Sequence, residues 1–175
     1  MRPYKSKPEK RMEKHELTAI HLRTLVTYDA ETGILSRTKR TCNRVKVGKV
    51  CGSLNTKGYL QCSIENRMYL VSHLIALYVT GHWPVGVIDH INGNKVDNRW
   101  SNLRDVTLAV NAQNLKGPNK ANKTGYLGVS MLRGKYAANI TANKKRKHLG
   151  CFCSPEQAYQ AYITAKRQMH PGCTI

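Results

Sequence analysis

An α+β fold assembled from several thin modules follows from three features of this sequence. Short β-type runs recur between Gly, Asn and basic turns, and in two separate stretches such runs lead into a helical pattern. Only 41% of the 175 residues are hydrophobic, with a single Phe, which suits small cores better than one large α/β domain. The predicted architecture is therefore small antiparallel hairpins, a central ββα unit, and a C-terminal three-stranded sheet packed on one helix.

Residues 1–16 are polar, rich in Lys and Glu and interrupted by Pro3 and Pro8, the composition of a basic flexible tail. Residues 17–71 form an N-terminal helix and β-hairpin region. Leu17, Ile20, Leu22, Leu25 and Val26 recur at near-helical spacing. Four short β-type runs follow at Gly33-Ile34-Leu35, Gly48-Lys49-Val50, Gly58-Tyr59-Leu60 and Tyr69-Leu70-Val71. Residues 72–116 make the central unit. Ser72 is placed to cap a helix through Tyr78 that stops near Gly81. Val87-Ile88-Asp89-His90 is a short strand, Leu103-Arg104-Asp105-Val106 its return, and Thr107 caps a helix through Asn111 and Asn114. Residues 117–123 are a polar, basic linker.

In the segment 124–170 the period-2 signal returns. Leu127–Ser130, Lys135–Ile140 and Arg146–Gly150 read as three strands. Ser154-Pro155-Glu156 then has a helix start's order of cap, proline and acid.

Charge narrows the function. Twenty-nine Lys and Arg against ten Asp and Glu give a formal net charge of +19. A polyanionic partner offsets that self-repulsion, and nucleic acid leads because neutralised phosphates release counterions. A ribosomal-type RNA binder, an anionic membrane surface or plain solubility are the competing explanations. No run of about 18 apolar residues exists, so no transmembrane helix is expected, and the basic N-terminus lacks the apolar stretch of a secretory signal. Cys42, Cys51, Cys62, Cys151, Cys153 and Cys173 form no CxxC pair, and scattered thiols of this kind are expected reduced, in the cytoplasm.

The chemistry concentrates at the end of the first central strand. Phosphodiester hydrolysis needs an activated water, charge stabilisation on the phosphate and help for the leaving oxygen. Asp89 is a hard oxygen ligand, suited to Mg²⁺, which keeps several waters and takes one or two protein ligands. A histidine such as His90 has an intrinsic pKa near neutrality, so its neutral ring can accept a proton from water. An amide on the next helix, such as Asn111, could give a second oxygen. An Asp-His pair alone is more often surface or capping chemistry. Here Asn92, Asn94, Asp97, Asn98 and Asn102 crowd the following loop beyond the needs of one turn, as a preorganised site requires.

These residues carry a resemblance. Val87 through Lys95, Asp97 through Arg104, and Asn111-Ala112-Gln113-Asn114 resemble the HNH endonucleases of phages and mobile introns. Tyr28 through Leu35 and Tyr69 through Ala76 look like the upstream stretches of the same family, so the resemblance covers roughly residues 20–115. It implies a ββα-metal finger holding one divalent ion, with Asp89 and Asn111 as metal ligands and His90 as general base. Asn102 would constrain the loop and keep the base oriented. An amide at position 111, where other branches carry His, favours Mg²⁺ or Mn²⁺ over zinc. The implied reaction leaves 5′-phosphate and 3′-hydroxyl ends. His73 is either a phosphate contact or a helix-start histidine packed on the sheet. Arg99 and Arg104 are expected at the DNA, while His82, His148 and His170 look structural or solvated.

The C-terminal segment resembles an APETALA2-type DNA-binding domain, through Thr124 to Ser130, Lys135 to Ile140, Leu149 to Phe152 and Glu156 to Tyr162. Such domains read the major groove with a three-stranded sheet. Tyr136 stands where the plant domains usually have Trp. Arg133, Lys135, Tyr136, Lys144, Lys145, Arg146 and Lys147 are the expected contacts. The resulting expectation is a metal-dependent, site-specific endonuclease of the homing or phage-encoded kind, acting on double-stranded DNA as a monomer or homodimer. A DNA-binding regulator with an inert centre is the alternative, and an RNA-binding structural protein explains the charge but not the site spacing.

Overall fold

The computed structural model describes residues 17–40 and 46–174, so the basic segment 1–16 and Cys42 lie outside the described residues. The protein is a mixed α+β structure of four small antiparallel sheets and four α-helices among the described residues. None of these helices is long and apolar enough to cross a membrane.

Helix α1 (Ala19–Leu25) begins at Thr18, whose hydroxyl accepts from the His21 N–H at 3.2 Å. Val26, expected to continue this helix, instead opens strand β1 (Val26–Asp29). The run Val-Thr-Tyr favours extended backbone, and Val26 is fully buried there. β1 pairs with β2 (Ile34–Arg37) across a turn in which the Asp29 carboxylate accepts from Glu31 N and the Thr32 hydroxyl. Gly48-Lys49-Val50, expected as a strand, contributes only one bridge, Val50 to Ser36. Its ladder potential is limited by the glycine turn at Gly48.

Strands β3 (Ser53–Leu54), β4 (Leu60–Ile64) and β5 (Arg67–Leu70) form a meander in that order. β5 runs directly into helix α2 (Val71–Thr80). The cap position therefore falls on Leu70, which has no side-chain capping bond, and not on Ser72 as expected. Ser72 lies buried in the first turn because Val71, Leu74 and Ile75 must all reach the core. Gly81, in the left-handed region at φ 85°, ends the helix as anticipated. One core gathers Leu22, Val26, Leu35, Ile64, Leu74 and Leu77 together with Ile88 and Leu103 of the central hairpin.

A second core lies in the C-terminal part. Strands β8 (Val129–Leu132), β9 (Lys135–Ala142) and β10 (Lys145–Phe152), with β9 central, pack on helix α4 (Pro155–Met169). Val129, Ala138, Ile140, Ala158, Tyr162 and Ile163 fill it. The first strand starts at Val129 and not at Leu127, as expected, because Gly128 turns at φ 76° beneath Tyr162. A Cβ there would fall 2.1 Å from the Tyr162 ring. Ser154 caps α4, accepting from Gln157 N at 3.3 Å, with Pro155 in the first turn.

Candidate nuclease centre

The central unit consists of strand β6 (Val87–His90), a 3-10 turn at Trp100–Asn102, strand β7 (Leu103–Val106) and helix α3 (Leu108–Gln113), capped by Thr107. The register sets Asp89 opposite Arg104 and His90 opposite Leu103. Successive strand residues alternate in direction, and the two side chains have separate sets of partners.

Asp89 is only 6% exposed. Arg104 holds its Oδ2 through Nε at 2.9 Å and through the terminal guanidinium nitrogen at 2.7 Å. The Asn114 amide nitrogen bridges both carboxylate oxygens at 3.0 and 3.1 Å. Two carboxylate oxygens offer about four acceptor directions. Oδ1 takes one donor among the described residues, so it keeps room for a further partner.

His90 is 4% exposed, and its Nε2 lies 3.2 Å from Oδ1 of Asn98. Asn98 is itself buried, its backbone carbonyl accepting from the Tyr28 hydroxyl at 2.8 Å and its side-chain amide nitrogen turned to the Val96 carbonyl. That orientation presents the amide oxygen to His90, so Nε2 carries the proton and Nδ1 holds the free lone pair. Burial pulls the His90 pKa below the ordinary imidazole range, against the opposing influence of the Asn98 bond and the Asp89 and Asp97 charges. The Tyr59 ring lies 5.9 Å from the imidazole, and Lys95 sits over Tyr59 while donating to the Lys57 carbonyl.

The asparagine-rich loop is a closed hydrogen-bond network. Asn102 accepts from Asn92 N at 2.9 Å and donates to the Asp97 carbonyl at 2.8 Å, tying both ends together. Asn92 donates to the Asp97 carboxylate and accepts from Asn94 N. Arg99 grips Asp97 with two guanidinium bonds, at 2.6 and 2.8 Å, and holds that carboxyl well below the usual carboxylate range.

Asn111 lies half-buried on α3, and its side-chain amide makes no hydrogen bond among the described residues. No cluster of three or more His, Cys, Asp and Glu groups occurs among those residues. An ion here would complete its shell with amide oxygen and water, as hard divalent ions do. An unpaired Asn111 amide and the open Oδ1 of Asp89 fit that pattern.

The remaining expected site residues are dispersed. His73 is half-buried on α2, its pKa lowered by burial and partly restored by Asp105. Arg99 and Arg104, expected at the DNA, have guanidinium groups tied to Asp97 and Asp89. Arg133, Lys135, Lys144, Lys145, Arg146 and Lys147 are exposed on the C-terminal sheet and its turns, whereas Tyr136 is half-buried against the second core. Of the other histidines, His82 is exposed and His170 is buried, with Nε2 on the Thr141 carbonyl. Two residues that touch the centre had no assigned role in the sequence: Asn98, which holds His90, and Asn114, which holds Asp89. Asn114 follows Asn111 by three residues, the spacing that shares a helix face, and that was the available signal.

Residues 69–113 match the family model described as HNH endonuclease. This segment is similar to HNH endonuclease domains. It contains β6, the loop, β7 and α3. No curated protein matches the chain. A solved structure described as "DNA binding and cleavage by the HNH homing endonuclease I-HmuI" is similar at 21% identity and a TM-score of 0.41, covering 85% of this chain and 88% of that one.

Proposed function

We propose that the chain is a metal-dependent, site-specific DNA endonuclease in which Asp89 and Asn111 hold one divalent ion, Mg²⁺ or Mn²⁺, and His90 is the general base. The observation that carries this reading is the buried His90, fixed by Asn98 with its Nδ1 lone pair free, one residue from a buried carboxylate in an HNH-like segment. When bound, the ion supplies positive charge to the scissile phosphate and the departing 3′ oxygen. His90 Nδ1 takes a proton from water as the water oxygen bonds phosphorus. The bond from phosphorus to the 3′ oxygen breaks, leaving a 5′-phosphate and, after protonation from solvent, a 3′-hydroxyl. Asn102 and the Asp97–Arg99 pair keep the loop rigid, and Asn98 keeps the base oriented.

In this reading the exposed basic groups of the C-terminal unit, Arg133, Lys135 and Lys144 to Lys147, with Tyr136, make an APETALA2-like grip on double-stranded DNA. Within the HNH-like segment His73 faces the same duplex, while Arg99 and Arg104 act through the carboxylates they hold. One centre per chain makes a nick the product of a monomer and a double-strand break the product of a homodimer. Homing or phage-encoded nucleases acting in the host cytoplasm are the class this organisation suits. The Asp89–Arg104 ion pair favours a second reading, a DNA-binding regulator whose centre is inert.

Supercoiled plasmid carrying candidate target DNA, incubated with Mg²⁺ or with chelator, separates the two. Metal-dependent relaxation or linearisation that disappears in His90→Ala supports the nuclease. Salt-sensitive binding without cleavage across a library of targets supports the regulator.

A further inference from the structure

The last described residues, 172–174, return to the HNH-like segment. After α4 ends, Gly172 lies against α3: its N–H donates to the Gln113 side chain at 3.0 Å, and its carbonyl accepts from Arg104 at 2.8 Å. A Cβ at Gly172 would fall 2.4 Å from the Val110 carbonyl oxygen, so only glycine fits this approach. The Thr174 hydroxyl lies between the Asn114 amide oxygen and the Ile91 carbonyl, 2.8 Å from the latter. Lys166 of α4, 1% exposed, adds a bond of 2.5 Å to the Leu115 carbonyl just beyond α3.

These contacts converge on one carboxylate. Asn114 is held at its oxygen by Thr174, which turns its nitrogen onto both Asp89 oxygens. Arg104, the other partner of Asp89, is held by Gly172. Both groups that orient Asp89 are therefore themselves oriented by residues 172–174. A carboxamide or guanidinium fixed at its far side loses less freedom on meeting the carboxylate, and such supporting bonds tune a ligand's geometry.

We propose that Asn114 and Thr174 are positioning residues of the nuclease centre, through which the seat of the C-terminal segment on α3 sets the orientation of Asp89 for a divalent cation. This rests on the reading of Asp89 as a metal ligand. It ties cleavage to correct docking of the C-terminal unit, whose basic strands lie on the same chain.

The test uses full-length Thr174→Val, Thr174→Ser and Gly172→Ala proteins. Mn²⁺ affinity is read by electron paramagnetic resonance, cleavage by single-turnover kinetics, and DNA affinity separately in chelator. Removing a supporting partner of a metal ligand typically costs about 10- to 100-fold in metal affinity or activity. Thr174→Val and Gly172→Ala are expected to weaken Mn²⁺ binding and slow the chemical step on that scale, with DNA affinity in chelator unchanged. Thr174→Ser, which keeps the hydroxyl, is expected to restore both. Wild-type Mn²⁺ affinity and cleavage rate in Thr174→Val overturn the proposal, even if its thermal midpoint falls, as does a Ser variant as impaired as Val. Weakened Mn²⁺ binding in Thr174→Val alongside an inert wild type upholds the joint and removes the nuclease reading. A wild type that neither binds Mn²⁺ nor cuts removes that reading and the joint with it.

Discussion

Replacing Gly33 by Ala gives a sharp test of how the N-terminal hairpin supports the nuclease centre. Gly33 sits at φ 74°, and a Cβ there would meet Arg99 N at 2.4 Å and the Asn98 carbonyl carbon at 2.6 Å. Two costs add. The left-handed conformation costs an L-residue about 1–2 kcal/mol, and forcing backbone apart in a packed region costs about 1–3 kcal/mol more. Gly81→Ala is the control, because Gly81 has a similar φ of 85° but nothing within 4 Å of the added carbon. Gly81→Ala should therefore lose only the conformational part, and Gly33→Ala about 2–5 kcal/mol in all. For a chain of this size each kcal/mol lowers the thermal midpoint by about 2–4 °C, so the two variants separate clearly in calorimetry. The atoms struck form the peptide bond between Asn98 and Arg99, and the Asn98 side chain holds His90, so cleavage by Gly33→Ala should also fall, by up to about 100-fold for a displacement near 1 Å. Equal midpoints for Gly33→Ala and Gly81→Ala would refute the close approach and with it this route of support.

Tyr28→Phe removes the hydroxyl that donates to the Asn98 carbonyl, and a loss of about 1 kcal/mol is expected in urea denaturation; an unchanged midpoint would mean the bond contributes nothing net. His90 has its pKa lowered by burial, so its neutral form should persist below pH 6.5 and the acid limb of the cleavage profile should lie beneath the ordinary imidazole value. By the same linkage the unfolded chain binds this proton more readily, so stability falls as pH drops through about 6.5 toward the folded pKa; an acid limb at or above 6.5 contradicts burial as the dominant influence. Changing Lys145, Arg146 and Lys147 to Gln should flatten the salt dependence of DNA binding by about 0.9 for each phosphate no longer neutralised, and an unaltered slope would take these residues off the phosphates.

Local pattern made much of this protein legible. Strands β6 and β7 are bounded as their alternating residues indicate, Thr107 and Ser154 cap the helices that follow them, and Gly81 ends α2. These features depend on neighbours within a few residues, which the sequence displays directly. Asp89, His90 and the loop asparagines stood out as candidates for the same reason, since their spacing is fixed along one short stretch. Boundaries slipped where tertiary demands won: Val26 joined a strand to reach the core, Ser72 was drawn inside α2, and Gly128 turned to admit Tyr162.

What the sequence by itself determined is which chemically capable residues share one short stretch and how basic the chain is, because residue type and local spacing suffice for both. Only the tertiary structure decided the partners of each functional group. Asn98 meets His90 from eight residues away, Arg104 meets Asp89 from fifteen, and Thr174 reaches Asn114 from sixty. Hydrogen bonds act within about 3 Å, so such pairings come into existence only once packing has brought distant segments together.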